Sequence, residues 1–220
     1  MVDRIDGYIH DGKLYIRVVD YKTGRKVFKL GDILNGMSMQ MLIYLFALQN
    51  EGSELFKKEI VPAGVLYAPA RDPITSVQGN VSDEELMKEK LKNTKRTGLI
   101  LNDPAIVAAM ESGDKKEYIP VSVNKDGALS GESLVSLEEL GEISRHIDSL
   151  IAAMGDEVRR GSITADPYFK GVQDNACLYC DYFGACHFRV ASADDRFRFT
   201  PSLKAPEAMK RIRGEKNGRN

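Results

Sequence analysis

From Val2 to Lys22 apolar and polar residues alternate on either side of Asp11-Gly12, which predicts two strands joined by a tight hairpin turn. The run "GMSMQMLIYLFALQ", residues 36 to 49, predicts a largely buried helix. "PAGVLYA", residues 62 to 68, predicts another strand, closed by the loop "PARDP". Ser82 with Glu85 has capping-box spacing and opens a charged helix through about residue 93. "YIPVSV" and "LSGESLVS" flank Asp126-Gly127 and read as a second hairpin. A second capping-box pair, Ser136 and Glu139, starts a long helix that should end near Gly161. Strands interspersed with helices in this way predict a mixed α/β domain. The first hairpin begins at residue 2, with nothing before it to cover the sheet's outer edge, so the chain is expected to be truncated ahead of it.

With Asp11 and Gly12 as the central turn residues, His10 pairs with Lys13 and every cross-strand pair sums to 23. One face then carries Asp3, Ile5, Gly7 and Ile9 on the first strand, and Leu14, Ile16, Val18, Asp20 and Lys22 on the second. Asp3 lies opposite Asp20 at the end of this apolar face, with Lys22 one step beyond. The other face pairs Asp6 with Arg17, reads as solvated, and makes Val19 and Tyr21 outward-facing. Two opposed carboxylates on a buried face repel each other, so one takes up a proton or both bind a cation. One or two carboxylates with water and a substrate phosphate suit Mg2+. Spacing alone leaves two readings open, a metal site built on Asp3 and Asp20 with Lys22 beside it, or a buried ion cluster without catalysis. Gln40 and Tyr44, four apart and so on one helix face, are polar positions in an apolar helix. They read either as packing against a neighbouring loop or as support for that site or for a DNA backbone.

Composition narrows the field. A chain of 220 residues, 43% hydrophobic and 29% charged, is ordinary for a globular protein, and its formal charge of -1 gives no global pull toward nucleic acid. The expectation is a cytoplasmic protein without a membrane span. The charge is uneven: Lys204, Lys210, Arg211, Arg213, Lys216 and Arg219 face only Glu207 and Glu215 after residue 203, which reads as a solvated, disordered basic tail. All three cysteines, Cys177, Cys180 and Cys186, fall in ten residues. Their C-x2-C start suggests a metal or cluster site rather than a disulfide framework, zinc with His187 or His146 being one reading.

Taken in order, Asp3 in "VDRID", Asp20 and Lys22 in "DYK", and Gln40 with Tyr44 in "QMLIY" resemble the motifs of the PD-(D/E)XK nucleases of the RecB type. "AGVLYAPARDPI", "TGLILND" and "CLYCDYFGAC" are most similar to the AddB branch of that family, the nuclease domains of AddB-type helicase-nuclease subunits. The resemblance implies a restriction-endonuclease-like mixed sheet flanked by helices, with a C-terminal cysteine-cluster segment. It implies a domain over residues 1–192, without its first helix and strand and with the cysteine segment at 170–190, followed by a basic tail over 193–220. It further implies Mg2+-dependent exonuclease action on DNA in double-strand break repair and recombination, beside an AddA-like helicase-nuclease subunit. Asp3 and Asp20 would be metal ligands, Lys22 a base-like or charge-stabilising residue, and Gln40 and Tyr44 the Q-x3-Y pair. Cys177, Cys180 and Cys186 would be three of the four ligands of a [4Fe-4S] cluster, the family's remaining one lying far upstream. The competing readings are a non-cleaving DNA- or helicase-binding module of the same fold and a zinc-binding regulatory protein.

Overall fold

Asp11 and Gly12 both take positive φ, 47° and 77°, the conformation a two-residue hairpin needs to match the right-handed twist of its strands. They join β1 (Arg4–His10) to β2 (Lys13–Lys22) in the register summing to 23 throughout, from Arg4 opposite Val19 to His10 opposite Lys13. The computed structural model describes residues 2–24, 26–71, 82–113, 115–186, 188 and 196–214. Part of the "PARDP" loop, His187, the boundary drawn at 192/193 and the last six residues lie outside them.

The hairpin is followed by α1 (Leu30–Leu34), α2 (Gln40–Phe56), β3 (Ile60–Pro69), α3 (Asp83–Thr94), β4 (Thr97–Leu101) and α4 (Pro104–Met110). Then come β5 (Ser122–Val123), β6 (Leu129–Ser130), β7 (Leu134–Val135) and α5 (Leu137–Arg159). The remaining elements are β8 (Tyr168–Gly171), β9 (Asp174–Asn175), α6 (Phe183–Cys186), β10 (Arg198–Phe199) and α7 (Ala205–Ile212). No helix among the described residues is long and apolar enough to cross a membrane. The chain divides into two compact units, one of residues 1–29 and 38–145, the other of residues 30–37 and 146–220.

In the first unit a five-stranded sheet runs in the order β1-β2-β3-β4-β7. β1/β2 and β3/β4 are antiparallel, and β2/β3 and β4/β7 parallel, so the sheet is mixed. β3 is buried along all but its last residue, which is why its sequence is continuously apolar rather than alternating. Its register against β2 slips between Ile16 and Arg17, where Pro62 pairs with Ile16 but Gly64 with Arg17. Ala63 is the extra residue of this bulge, beside a proline that has no N–H to give a ladder. β3 and β4 approach closely through Gly98, where an added Cβ would stand 1.9 Å from the Val65 carbonyl oxygen.

Both faces of the sheet are covered. Val19, Leu66, Ala68 and Ile100 pack with Val107 of α4 and with Ile119 and Val121 on one side. α2 packs on β2 and β3 and contributes nothing to that cluster, so it covers the face of Ile16, Val18 and Val65. Val19 is therefore a core residue, 3% exposed, and not outward-facing. Likewise Arg17 is 8% exposed, so its face is not solvated as the alternation implied. α2 begins at Gln40, four residues later than expected, after Ser38 takes φ 57°, and runs past Gln49 to Phe56.

The two capping boxes form as read. Ser82 accepts from the Glu85 N–H at 3.3 Å, and Ser136 accepts from the Glu139 N–H at 3.1 Å, with each glutamate reaching back to its cap. α4 has Asp103 as its cap and Pro104 in its first turn. β5 and β6 pair across Asp126-Gly127, the second hairpin.

In the second unit β10-β8-β9 form a small sheet, and α1 packs on α7. Lys170 Nζ pairs with Asp32 at 2.6 Å, both largely buried. The basic C-terminal stretch is not a wholly solvated tail: α7 buries Ala208 and Met209.

Candidate active site

β2 emerges from the sheet core at Asp20. Val18 beneath it is fully buried, whereas the Asp20 side chain is 17% exposed and that of Lys22 36%. Lys22 Nζ sits 2.5 Å from Asp20 Oδ2 and 5.5 Å from the centre of the Tyr67 ring, a cation over an aromatic face. Tyr67 is where it is because it pairs with Asp20 in the parallel β2/β3 ladder. The hydrogen bond to Asp20 raises the Lys22 pKa above its ordinary value; burial opposes this, and the charges of Asp20 and Asp3 reinforce it. Lys22 is thus an ammonium at neutral pH.

Asp3 precedes β1 and is exposed. Its Oδ2 accepts a hydrogen bond from the Tyr21 N–H at 2.9 Å, which ties it to β2 between Asp20 and Lys22. The structure therefore brings Asp3, Asp20 and Lys22 to one end of β2. At the start of α2, Gln40 Nε2 donates to Tyr44 Oη at 3.0 Å. That bond lowers the Tyr44 pKa, while the negative charge of Asp20 pushes it up, so the phenol shares the electrostatic surroundings of the carboxylate. Because Tyr44 Oη accepts from Gln40, its own O–H remains a donor.

Asp6, the other aspartate of "VDRID", belongs to a different network. Its Oδ2 accepts from Arg17 Nη2 at 2.5 Å and from Nε at 3.1 Å, and its Oδ1 from Arg4 Nε at 2.6 Å. Burial alone would raise the Asp6 carboxyl, but these guanidinium bonds outweigh it and hold the pKa below the usual value. Arg4 Nη1 continues the network to Tyr21 Oη at 3.1 Å.

A cavity of about 550 Å3 opens beside Lys22, lined by cations from three separate segments: Lys22 and Lys26, Arg71, and Lys92, Lys95 and Arg96. The charged run "KNTKR", residues 92 to 96, was the one local signal for it in the sequence.

The second unit carries the cysteines. Cys177 N–H donates to Asn175 Oδ1 at 3.0 Å and Cys186 N–H to the Tyr182 carbonyl at 2.8 Å, so the segment is held by its own turns. All three thiols are free. Burial pushes the Cys177 thiol up, and the neighbouring Cys180 and Cys186 add to the shift. Among the described residues no group of three or more His, Cys, Asp or Glu is disposed to hold a metal ion. His146 donates from Nε2 to the Leu34 carbonyl at 3.2 Å.

The chain is similar to bacterial proteins named as the second, or B-type, component of an ATP-dependent helicase/deoxyribonuclease. It is 34% identical over 219 residues to the one from Thermoanaerobacter sp. (strain X514), covering 98% of this chain and 19% of the relative. Against that of Clostridium acetobutylicum it is 35% identical over 217 residues, covering 97% of this chain and 19% of the relative. Against that of Symbiobacterium thermophilum it is 32% identical over 213 residues, covering 96% of this chain and 18% of the relative. The chain thus spans about a fifth of the length of these relatives. The family model of the PD-(D/E)XK nuclease superfamily matches residues 1–187, which includes the end of β2 and the start of α2. With that match over most of its length, the chain belongs to the PD-(D/E)XK nuclease superfamily.

Proposed function

We propose that this chain is the nuclease domain of an AddB-type helicase-nuclease subunit and hydrolyses DNA phosphodiesters as a Mg2+-dependent exonuclease. The observation that carries the reading is the pairing of Lys22 with Asp20 at the end of β2, with Asp3 tied to the intervening Tyr21 amide. The helicase/deoxyribonuclease names of the relatives support the assignment to such an enzyme. By the same resemblance the assembly would include an AddA-like subunit and serve double-strand break repair and recombination in the cytoplasm.

Asp3 and Asp20 fit a hard divalent cation. Each has its Oδ2 held, by the Tyr21 N–H and by Lys22 respectively, and would meet the ion through Oδ1. Two carboxylates completed by water and phosphate are what Mg2+ ordinarily takes. When bound, the ion supplies Lewis-acid polarisation of a phosphoryl oxygen and acidifies a nearby water.

The residues of the chain do the rest. Lys22, held protonated by Asp20, neutralises charge growing on the phosphoryl oxygens as water attacks and one bridging P–O bond breaks. Its raised pKa argues against a general-base role, which would require the free amine. Gln40 fixes the Tyr44 phenol, whose free O–H donor positions the phosphate or the Asp20 carboxylate. The three cysteines would contribute to a [4Fe-4S] cluster. Three thiolates fall short of the usual four, so no step is derived through one.

The deciding experiment is degradation of single-stranded and duplex DNA with Mg2+, comparing the chain with Asp20→Ala and Lys22→Ala. Cleavage lost in both variants supports the assignment. Cleavage surviving both overturns it. An unsubstituted chain that binds DNA without cutting points to the non-cleaving module instead.

A further inference from the structure

The cavity beside Lys22 is lined by six cations, and among its described lining there is no aspartate or glutamate. Lys22 is offset by Asp20 and Lys92 by Glu89. Among the described residues Lys26, Arg71, Lys95 and Arg96 make no ion pair and no side-chain hydrogen bond. Arg96 is the most telling of them. It is half-buried, and burial together with the charges of Arg17 and Arg4 disfavours its protonated form, against which only a weaker attraction from Glu111 acts. Arg17 adds a buried Nη1 without a partner among the described residues. A guanidinium kept in such a position without an anion is costly, and a phosphate is the ligand whose geometry its planar fork matches.

The walls are built to hold this arrangement. Thr97 Oγ1 accepts from the Phe28 N–H at 3.1 Å and donates to the Lys26 carbonyl at 3.2 Å. That bond pair ties the segment after β2 to the start of β4, setting Lys26 and Arg96 on one rigid frame. Tyr67, Val27 and Pro69 supply apolar and aromatic surface between the cations. Cations alternating with aromatic surface are how grooves hold single-stranded nucleic acid without regard to sequence. The volume, about 550 Å3, is that of a pocket for one or two nucleotides rather than a trough for a duplex.

We propose that this cleft takes the phosphates of one DNA strand next to the scissile bond, with Arg96 as the positioning residue and Lys26, Arg71 and Lys95 as further phosphate contacts. The inference rests on the hydrolytic reading of the Asp3, Asp20 and Lys22 site, which shares Lys22 with the cleft.

The test is fluorescence anisotropy with a short labelled oligothymidylate in EDTA, so that nothing is cut, across about 50–200 mM salt. Arg96→Gln should weaken binding on the order of tenfold and lower the salt slope by about 0.7, the loss of one single-strand phosphate contact. Lys125→Gln, on the β5/β6 turn, should change neither. Should Arg96→Gln fail to fold, the Lys26→Gln/Arg71→Gln double variant is read by the same criteria. Unchanged affinity and slope overturn the cleft, and so does a blunt duplex that competes as well as the single strand. Cleavage is scored separately: Arg96→Gln should raise KM and spare kcat. Binding with this pattern in a chain that never cuts overturns the hydrolytic reading and leaves the cleft. Cutting by Arg96→Gln with KM unchanged overturns the cleft and leaves the hydrolytic site.

Discussion

The Tyr21 N–H donates to Asp3 Oδ2 at 2.9 Å, so the β1/β2 hairpin is stitched by a side chain just past the point where its backbone ladder ends at Arg4 and Val19. Asp3 thus has two separable properties, an acceptor that holds the hairpin end and a charge that faces Lys22. Asp3→Asn keeps an acceptor and removes the charge. It should lower Mg2+-dependent cleavage by about 100-fold or more with little change in the urea midpoint, whereas Asp3→Ala should lower both. Parallel cleavage and urea titrations check this.

Lys22 titrates above its ordinary 10.5 because Asp20 holds the ammonium. The stabilisation from this pair is fully present below the unfolded value and is lost only as pH rises through the higher folded value. The pH–rate profile should therefore show no limb near neutrality that Lys22→Arg displaces. Lys22→Met should lower the whole profile by about 100-fold. A neutral limb abolished in Lys22→Met would instead identify the lysine as the base.

Asp6 partners a buried arginine. Asp6→Asn leaves Arg17 with its charge uncompensated and should cost about 3 kcal/mol, read as a lower urea midpoint at neutral pH. Because the folded carboxyl pKa is held below 3.8, its contribution is present above that value and fades as pH falls through the folded one. The acid limb of stability should flatten in Asp6→Asn relative to the unsubstituted chain.

Gly98→Ala tests the close approach of β3 and β4. Its Cβ would meet the Val65 carbonyl oxygen at 1.9 Å, and the strands must part. The expected cost is about 3 kcal/mol or more, measured by urea unfolding or by loss of soluble chain.

The register of the first hairpin was legible because one dipeptide, Asp11-Gly12, determines it, and the period of two then places Asp3 and Asp20 together. The burial of the Arg17 face was not. Tyr15, Arg17 and Tyr21 look like a solvated row, and the cover over that face comes from Val107, Ile119 and Val121, roughly a hundred residues away in sequence. Local alternation carries no information about such a lid. α1, β4 and α4 went unread for a related reason: each is short, and their pattern becomes meaningful only against the sheet they pack on. The end of α2 was misplaced because apolar periodicity stops near Gln49, although Gly52 remains buried against Ile60. The basic cleft draws on three distant segments, of which only "KNTKR" was visible as a charge run.

The bulge at Ala63 decides which side chain meets the lysine. Were β3 to pair with β2 without that extra residue, Lys22 would stand beside Ala68, and Tyr67 would stand beside Tyr21 and point to the opposite side of the sheet. The one-residue slip, four pairs upstream of Asp20, is thus a phase shifter. It slides the second half of β3 by one step so that an aromatic ring, not a methyl group, lies under the ammonium that the carboxylate holds.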